Sequence, residues 1–274
     1  MKKRNMRKAV IKNLLALLII AVHISPFYVL LITSLKTSRD FTSRWLPPAA
    51  PTLDNFTLAL KGGDLMHSIL NTAIIMLIST ALIIVIGAMS GYPLARYGTK
   101  FSKTLSLLLL GVMMVPPLSV LVPLYRELVL INGLNTFWGI IILSITYGLP
   151  TSVFMYTNFI HTIPVALDEA ALLDGCSKYA IFFRIIMPSL KPVTASVAIL
   201  TGINIWNDYS FQLYVLQKPK LRTITLMLRS FFAEGNTNLN AAAAASCIAI
   251  LPLIVIYLFL SKYFVQGVVD SAVK

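Results

Sequence analysis

Apolar and polar positions follow one another along this chain in long blocks rather than in short alternation. Six apolar runs, at roughly 14–35, 68–95, 104–124, 137–159, 190–209 and 241–260, each approach the length of about 20 residues that crosses a bilayer as a helix. The stretches between them gather the charges and turn formers. This pattern predicts an all-α, polytopic membrane protein with six transmembrane helices. Pro26 lies inside the first run and predicts a kink there. Pro116 and Pro117 must break the hydrogen-bond ladder of the third. Lipid tolerates such a break only where protein or a water-filled cavity satisfies the freed groups, so this run is a candidate pathway liner. The run Ala241 to Ala245 has the small side chains that let helices approach closely.

One stretch departs from the blocks. Between the fourth and fifth runs, residues 163–192 read IPVALDEAALLDGCSKYAIFFRIIMPSLKP and hold Asp168, Glu169 and Asp174. They predict two short helices joined at Gly175, with Pro164 at a first helical position, Gly175 as the left-handed stop and Ser177 as the next cap. At 100° per residue Ala166, Ala170 and Leu173 fall on one side, and Val165 and Leu172 on the other. A helix this short is marginal alone. Apolar on two sides, it is expected to pack against its own protein on one and a partner on the other.

Composition agrees with a membrane setting. Of the 274 residues, 57% are hydrophobic and 12% charged, with a mean hydropathy of +0.81. The net charge of +13 does not indicate nucleic acid, because the basic residues sit in connectors rather than on one soluble face. Cys176 and Cys247 lie in different segments without CxxC spacing, and His23, His67 and His161 are scattered. These imply neither a disulfide framework nor a metal site. No Walker A, GxGxxG or His-x-x-Glu-His pattern is present, which leaves the chain without an evident catalytic or nucleotide-binding apparatus.

The basic residues also set an orientation. Residues 2–12 carry six Lys and Arg before the first run, as a signal peptide would. That run is long enough to span and is not followed by a small-x-small cleavage site, so it predicts a retained helix. Six spans place both termini on one side, and Lys and Arg are more numerous there than on the other. Both termini and the 163–188 hairpin are therefore expected in the cytoplasm. Residues 1–67 form an N-terminal section with a turn-rich extracytoplasmic connector (Pro47, Pro48, Pro51, Gly62, Gly63), and 68–274 a five-helix core.

Glu169-Ala170-Ala171, Gly175, Ile185 and Pro188 closely resemble the EAA-x3-G-x9-I-x-L-P signature of permease subunits of ATP-binding-cassette importers, with Met187 in place of the usual leucine. That exchange nearly conserves volume. Further runs are similar to the carbohydrate-uptake class, and within it to the smaller permease of maltose-type or multiple-sugar systems. They are Pro26-Phe27, Ser34-Leu35-Lys36, residues 51–56 (PTLDNF), residues 92–96 (YPLAR), residues 133–136 (GLNT), residues 206–209 (WNDY) and residues 272–274 (AVK). The resemblance implies a non-catalytic subunit of a bacterial-type inner membrane. It implies a second permease, two ATP-binding subunits that hold ATP and Mg, an extracytoplasmic solute-binding protein and a carbohydrate substrate as partners. It further implies that the EAA helix seats in a groove of one ATPase and transmits its closure to spans that alternate between inward and outward access.

On that resemblance Glu169, Ala170, Ala171, Asp174, Gly175 and Pro188 are the expected ATPase-coupling residues. For Glu169 the motif favours a role at the ATPase contact over that of a solvated acid; Asp174 could equally be a local cap, and Pro188 marks the entry to span five. Asn204 is polar within a span, which suits substrate contact or an interhelical hydrogen bond. Trp206, Asn207, Asp208 and Tyr209 have the chemistry to stack on and hydrogen-bond a sugar, or to anchor at the interface. Tyr147 and Tyr156 of span four join that set. Arg96 reads as an anchor and topology signal. The alternative function is a channel or ion-coupled carrier gated by the hairpin, but the spans offer His23 and little else as ionisable groups.

Overall fold

The computed structural model describes residues 2–61, 64–232 and 238–272. Gly62, Gly63, Val273 and Lys274 lie outside the described residues, as do the side chains of residues 2–9, 260 and 262–272. The chain folds into helices α1 (Lys2–Ser34), α2 (Asp54–Lys61), α3 (Leu65–Arg96), α4 (Lys100–Met113), α5 (Leu121–Leu130), α6 (Phe137–Thr162) and α7 (Ala166–Leu173). There follow α8 (Lys178–Ile181), α9 (Met187–Ser189), α10 (Lys191–Asn207), α11 (Ser210–Val215), α12 (Ile224–Ser230) and α13 (Leu239–Ala272). Among the described residues there is no strand.

Four helical segments are long and apolar enough to cross a membrane: Val10–Ser34, Leu65–Arg96, Phe137–Thr162 and Leu239–Phe259. With each of two bent helix pairs counted as one span, the number rises to six. Lys100–Met113 meets Pro117–Leu130 at 94°, and Lys178–Ser189 meets Lys191–Asn207 at 74°. The third run is broken at the proline pair, as Pro116 and Pro117 predicted, and the break is a sharp bend. The 14 residues of α4 are about 21 Å long, short of a hydrocarbon core of about 30 Å. The chain then turns through Pro116 into a 3₁₀ turn at Pro117–Val120. Pro26, Pro93, Pro150 and Pro252, by contrast, lie inside continuous helices.

The chain divides into two compact units. The first comprises Met1–Met66 and Met227–Leu251. Beyond its basic start, α1 is apolar on every side, with Leu14, Leu17, Leu18 and Val22 each at least 60% exposed, as a lipid-facing helix requires. The end of α1 is closed by side chains. Asn55 Nδ2 donates to the carbonyls of Ser34 (2.9 Å) and Lys36 (2.7 Å), and Asn240 Nδ2 to those of Lys36 (3.1 Å) and Thr37 (3.2 Å). Carbonyls that a helix end leaves unpaired are thus satisfied. Lys36 is buried, its Nζ donating to Thr42 and Ser43 and lying 3.5 Å from Asp40. Hydrogen bonds from the Thr42 hydroxyl and backbone N–H hold the Asp40 carboxyl below its usual pKa. Ala241 to Ala245 are all buried, as small residues at a close helix contact should be.

The second unit, His67–Leu226 with Pro252–Lys274, contains the hairpin. Helices α4, α10 and α11 pack against α6. Helix α3 also approaches α6 closely. A Cβ built on Gly87 would lie 2.1 Å from Ser152 Oγ, and one on Gly91 2.8 Å from Tyr156 Cβ. Ser152 Oγ donates to Ile83 O (3.2 Å), and the buried Tyr156 hydroxyl to Thr194 Oγ1 (2.9 Å). Tyr156 therefore joins α6 to α10. The residues 133–136 also have a structural task. Asn135 adopts φ 55°, its Oδ1 accepts from the N–H groups of Gln217 (2.7 Å) and Lys218 (2.9 Å), and Thr136 caps α6 by accepting from Gly139 N.

Candidate coupling site and membrane cleft

The hairpin is built by its caps. Helix α7 begins at Ala166, two residues later than Pro164 at a first helical position would give, and the Pro164 carbonyl accepts from Leu167 N. At the other end Gly175 has φ 78°, its N–H reaches Leu172 O (3.0 Å) and the Cys176 N–H reaches Ala171 O (3.0 Å). This is the Schellman arrangement, which satisfies the last carbonyls and needs a residue at ease with positive φ. Ser177 Oγ accepts from Ala180 N (3.2 Å) and starts α8, as its sequence position predicted. The second arm then widens into a π turn at Phe182–Ile186, where Met187 N bonds to Phe182 O. Pro188 follows immediately and lacks an N–H, so a regular α-helical ladder could not continue there. It lies ahead of α10, in the short α9, rather than at the first turn of α10.

The packing of α7 differs from the two-sided expectation. Its buried strip is Asp168 and Ala171, at 7% and 5% exposure, and neither apolar side is covered. Val165, Leu167, Leu172 and Leu173 are exposed, Leu173 to 89%. Glu169, Ala170 and Asp174 are exposed as well. The expected coupling residues therefore separate: Ala171 faces its own protein, while Glu169 and Ala170 face outward.

What holds the buried strip is Arg96, which corrects its reading as a surface anchor. Arg96 Nη2 lies 2.8 Å from Asp168 Oδ2, and the two side chains are only 7% and 9% exposed. Its Nη1 donates to the carbonyls of Ile160 (3.3 Å) and Ile163 (3.1 Å) at the end of α6. The Tyr92 hydroxyl donates to the other Asp168 oxygen, Oδ1. The Tyr92 ring meets Phe182 with centroids 5.4 Å apart, and Lys178 Nζ stands 5.2 Å above the Tyr97 ring. One end of α3 thus grips both arms of the hairpin. The sequence offered two signals, the YPLAR run at the close of a span and an acid directly before Glu169. Nothing in their spacing pairs them, because α4, α5 and α6 all lie between Arg96 and Asp168 in the chain.

The second candidate region is a cleft of about 180 Å³ among α3, α6, α10 and α11. Its lining includes Ser144, Tyr147, Thr151, Asn204, Asp208 and Phe211. Three expected pathway residues, Tyr147, Asn204 and Asp208, thus come together. Trp206 does not join them: it is 2% exposed and absent from the lining. Asn207 and Tyr209 also lie outside the lining. The Asp208 carboxylate accepts from the N–H groups of Phe211 and Gln212 (both 3.3 Å) and caps α11. The Tyr147 ring packs on Phe211 at 4.7 Å, and its hydroxyl donates to Pro117 O (3.3 Å). A carbonyl at the proline break is thereby satisfied by protein, as a broken span in lipid requires. Tyr147 and Thr151 also border a cavity of about 500 Å³ lined by Val112, Met113, Val115 and Pro117. Among the described residues no group of three or more His, Cys, Asp or Glu is placed to hold a metal ion.

Residues 83–270 match the model of the family described as binding-protein-dependent transport system inner membrane component. The chain is 43% identical, over 96% of its own length and 95% of the relative's, to the melibiose/raffinose/stachyose import permease protein MelC of Bacillus subtilis (strain 168). It is 34% identical, over the whole of both chains, to the probable starch degradation products transport system permease protein AmyC of Thermoanaerobacterium thermosulfurigenes. In fold it is similar to a chain of a bacterial ABC transporter involved in the import of the acidic polysaccharide alginate. The TM-score is 0.84 with 17% identity, covering 95% of this chain and 97% of that one. The chain belongs to the binding-protein-dependent transport system inner membrane component family, as a multi-pass, non-catalytic permease subunit of an ATP-binding-cassette sugar importer.

Proposed function

We propose that α7 is the helix through which closure of an ATPase dimer reaches the spans, and that this subunit works with a second permease, two ATP-binding subunits carrying ATP and Mg, and an extracytoplasmic solute-binding protein. The observation that carries this reading is the division of α7 into a buried Asp168–Ala171 strip and an exposed face of Leu167, Glu169, Ala170, Leu172 and Leu173. A short helix held on one strip, with large apolar residues outward, suits docking into a groove. Ala170 permits close approach, Glu169 supplies a charge at the contact, and Asp174 and Gly175 aim the helix. Pro188, beside the π turn, sets how the second arm enters α10. The excess of Lys and Arg on the terminus-bearing side supports a cytoplasmic hairpin and cytoplasmic termini. Residues 1–67 make up the N-terminal section with the first span and an extracytoplasmic connector, and 68–274 the five-helix permease core with the coupling hairpin.

The cleft lined by Tyr147, Asn204 and Phe211 is the sugar-facing surface. Aromatic faces beside hydroxyl and amide groups suit a ring with apolar faces and hydroxyl edges. Its volume is below the roughly 300–1,000 Å³ of complete ligand sites, which supports a second wall from the other permease. The relative MelC carries the names of melibiose, raffinose and stachyose, and these sugars are the proposed substrates. Vesicles bearing the complete transporter should take up labelled raffinose only with ATP inside and binding protein outside. Asn204→Ala should reduce that uptake about three- to tenfold, the worth of one hydrogen bond, with unchanged recovery of the ATPase in the complex. Uptake equal to wild type would remove Asn204 from the pathway.

A further inference from the structure

We infer that the buried Arg96–Asp168 ion pair, with Tyr92 on the second carboxylate oxygen, is the joint that makes α7 and the inner end of α3 move as one piece. Arg96 and Tyr92 are then positioning residues for coupling, which they serve through Asp168. This inference rests on the coupling role proposed for α7 and names the span that first receives its displacement.

The geometry argues against a merely adhesive role. Burying two charges costs desolvation that well-packed apolar side chains would avoid, so a buried pair is poor evidence for stability alone. What such a pair supplies is direction. Arg96 is held at its two terminal nitrogens, Nη2 by the Asp168 Oδ2 charge and Nη1 by the Ile160 and Ile163 carbonyls. Asp168 is held on both oxygens, by Arg96 and Tyr92. Neither side chain can rotate without breaking a charged contact in a site that water barely reaches. The Nη2–Oδ2 contact holds by charge at short range, and the Nη1 bonds to the Ile160 and Ile163 carbonyls fix where the guanidinium sits.

The same residues fix the direction of transmission. Arg96 and Tyr92 are one helical turn apart on α3, so both grip the hairpin from one face of that helix. Just N-terminal to them, Gly91 sets α3 so close to Tyr156 and Thr157 that the two helices cannot slide apart without losing contact. A pull on α7 therefore loads α3 at its last turn and, through Tyr156, reaches α6 and the Thr194 hydroxyl of α10. Helices α3, α6 and α10 are three of those that line the cleft containing Tyr147 and Asn204. The outer face of α7 is free of this network, so docking and transmission occupy separate sides of one helix.

The test uses the complete transporter in vesicles, with raffinose, melibiose and stachyose as probes. Sugar taken up per ATP hydrolysed, and the stimulation of hydrolysis by the binding protein, are measured together. The double variant Arg96→Gln/Asp168→Asn removes both charges: Asn keeps the outline of the carboxylate, and Gln keeps a polar side chain but not the reach of the guanidinium. It should assemble with the ATPase yet lose about tenfold in uptake per ATP, within the range by which residues on a coupling route change it. Tyr92→Phe, which deletes one hydroxyl, should lose about two- to threefold. Arg96→Lys should fall between them, because it keeps the charge and loses the second nitrogen that bonds the Ile160 and Ile163 carbonyls. Wild-type uptake per ATP in the double variant would overturn the joint. Should that variant fail to assemble, Tyr92→Phe decides, and an unchanged ratio there overturns it as well. If none of the three sugars enters with the wild-type chain, the substrate assignment falls and the joint is read from binding-protein stimulation of hydrolysis alone. Glu169→Lys on the outer face separates the two proposals. Full coupling there refutes docking through α7, whereas loss there beside full coupling in the double variant refutes only the joint.

Discussion

Gly175→Pro should insert into the membrane in normal amount and abolish transport. Proline confines φ to negative values where Gly175 holds 78°, and it removes the N–H that reaches Leu172 O. The Schellman closure of α7 is lost, at a local cost of about 3 kcal/mol or more. No atom lies within 4 Å of a Cβ at this position, so the damage is confined to the backbone and to the direction in which α7 points. The surrounding spans have no reason to unfold. Gly175→Ala isolates the conformational term: a left-handed alanine costs about 1–2 kcal/mol and should weaken coupling about five- to thirtyfold without abolishing it. Immunoblots of membranes, recovery of the ATPase with the permease, and uptake per ATP distinguish these outcomes. Undiminished uptake by Gly175→Pro would show that the aim of α7 is irrelevant to transport.

Gly91→Leu should have the opposite character and lose the protein rather than its coupling. The added side chain starts 2.8 Å from Tyr156 Cβ and 3.1 Å from the Thr157 backbone nitrogen, so α3 and α6 must separate. Backbone cannot yield as a flexible side chain does, and overpacking of this kind costs about 3 kcal/mol. Separation also strains the Ser152 bond to Ile83 O and the Tyr156 bond to Thr194. The expected result is a several-fold fall in membrane-inserted protein and a lower unfolding temperature in detergent. A matching substitution at Gly98, where no atom lies within 4 Å, should leave both unchanged. Normal yield of Gly91→Leu would mean that α3 and α6 lie farther apart than described.

Most of the helices and their caps could be read in advance, because they depend on local chemistry. A long uninterrupted apolar run can only satisfy its backbone in lipid as a helix. Gly175 and Ser177 marked the turn between the hairpin arms because a positive φ and a hydroxyl cap are properties of single residues. The motif spacing likewise named the outward Glu169 and Ala170. The runs 34–36 and 51–56 were recognisable too, although not their purpose. That Asn55 closes the end of α1 required the two segments to be seen together.

Other features had no local signature. Hydropathy is a sum over a window and contains no angle, so the 94° bend after Pro116 was invisible beyond the fact of a break. Trp206 and Asn204 are near neighbours on α10, and composition gave both a place in the pathway. Only the helix's rotation against its neighbours buries the first and opens the second to the cleft.

The sequence by itself determined the membrane class, the number of apolar runs, the capped hairpin and the family signature, each of which is written in contiguous residues. Tertiary structure alone decided that Arg96, counted among surface cations, is buried against Asp168, and that α7 therefore has an inner charged strip and an outer docking face. Side-chain pairing between segments so distant in the chain is set by how helices pack, and the energy of a buried charge depends on what stands opposite it.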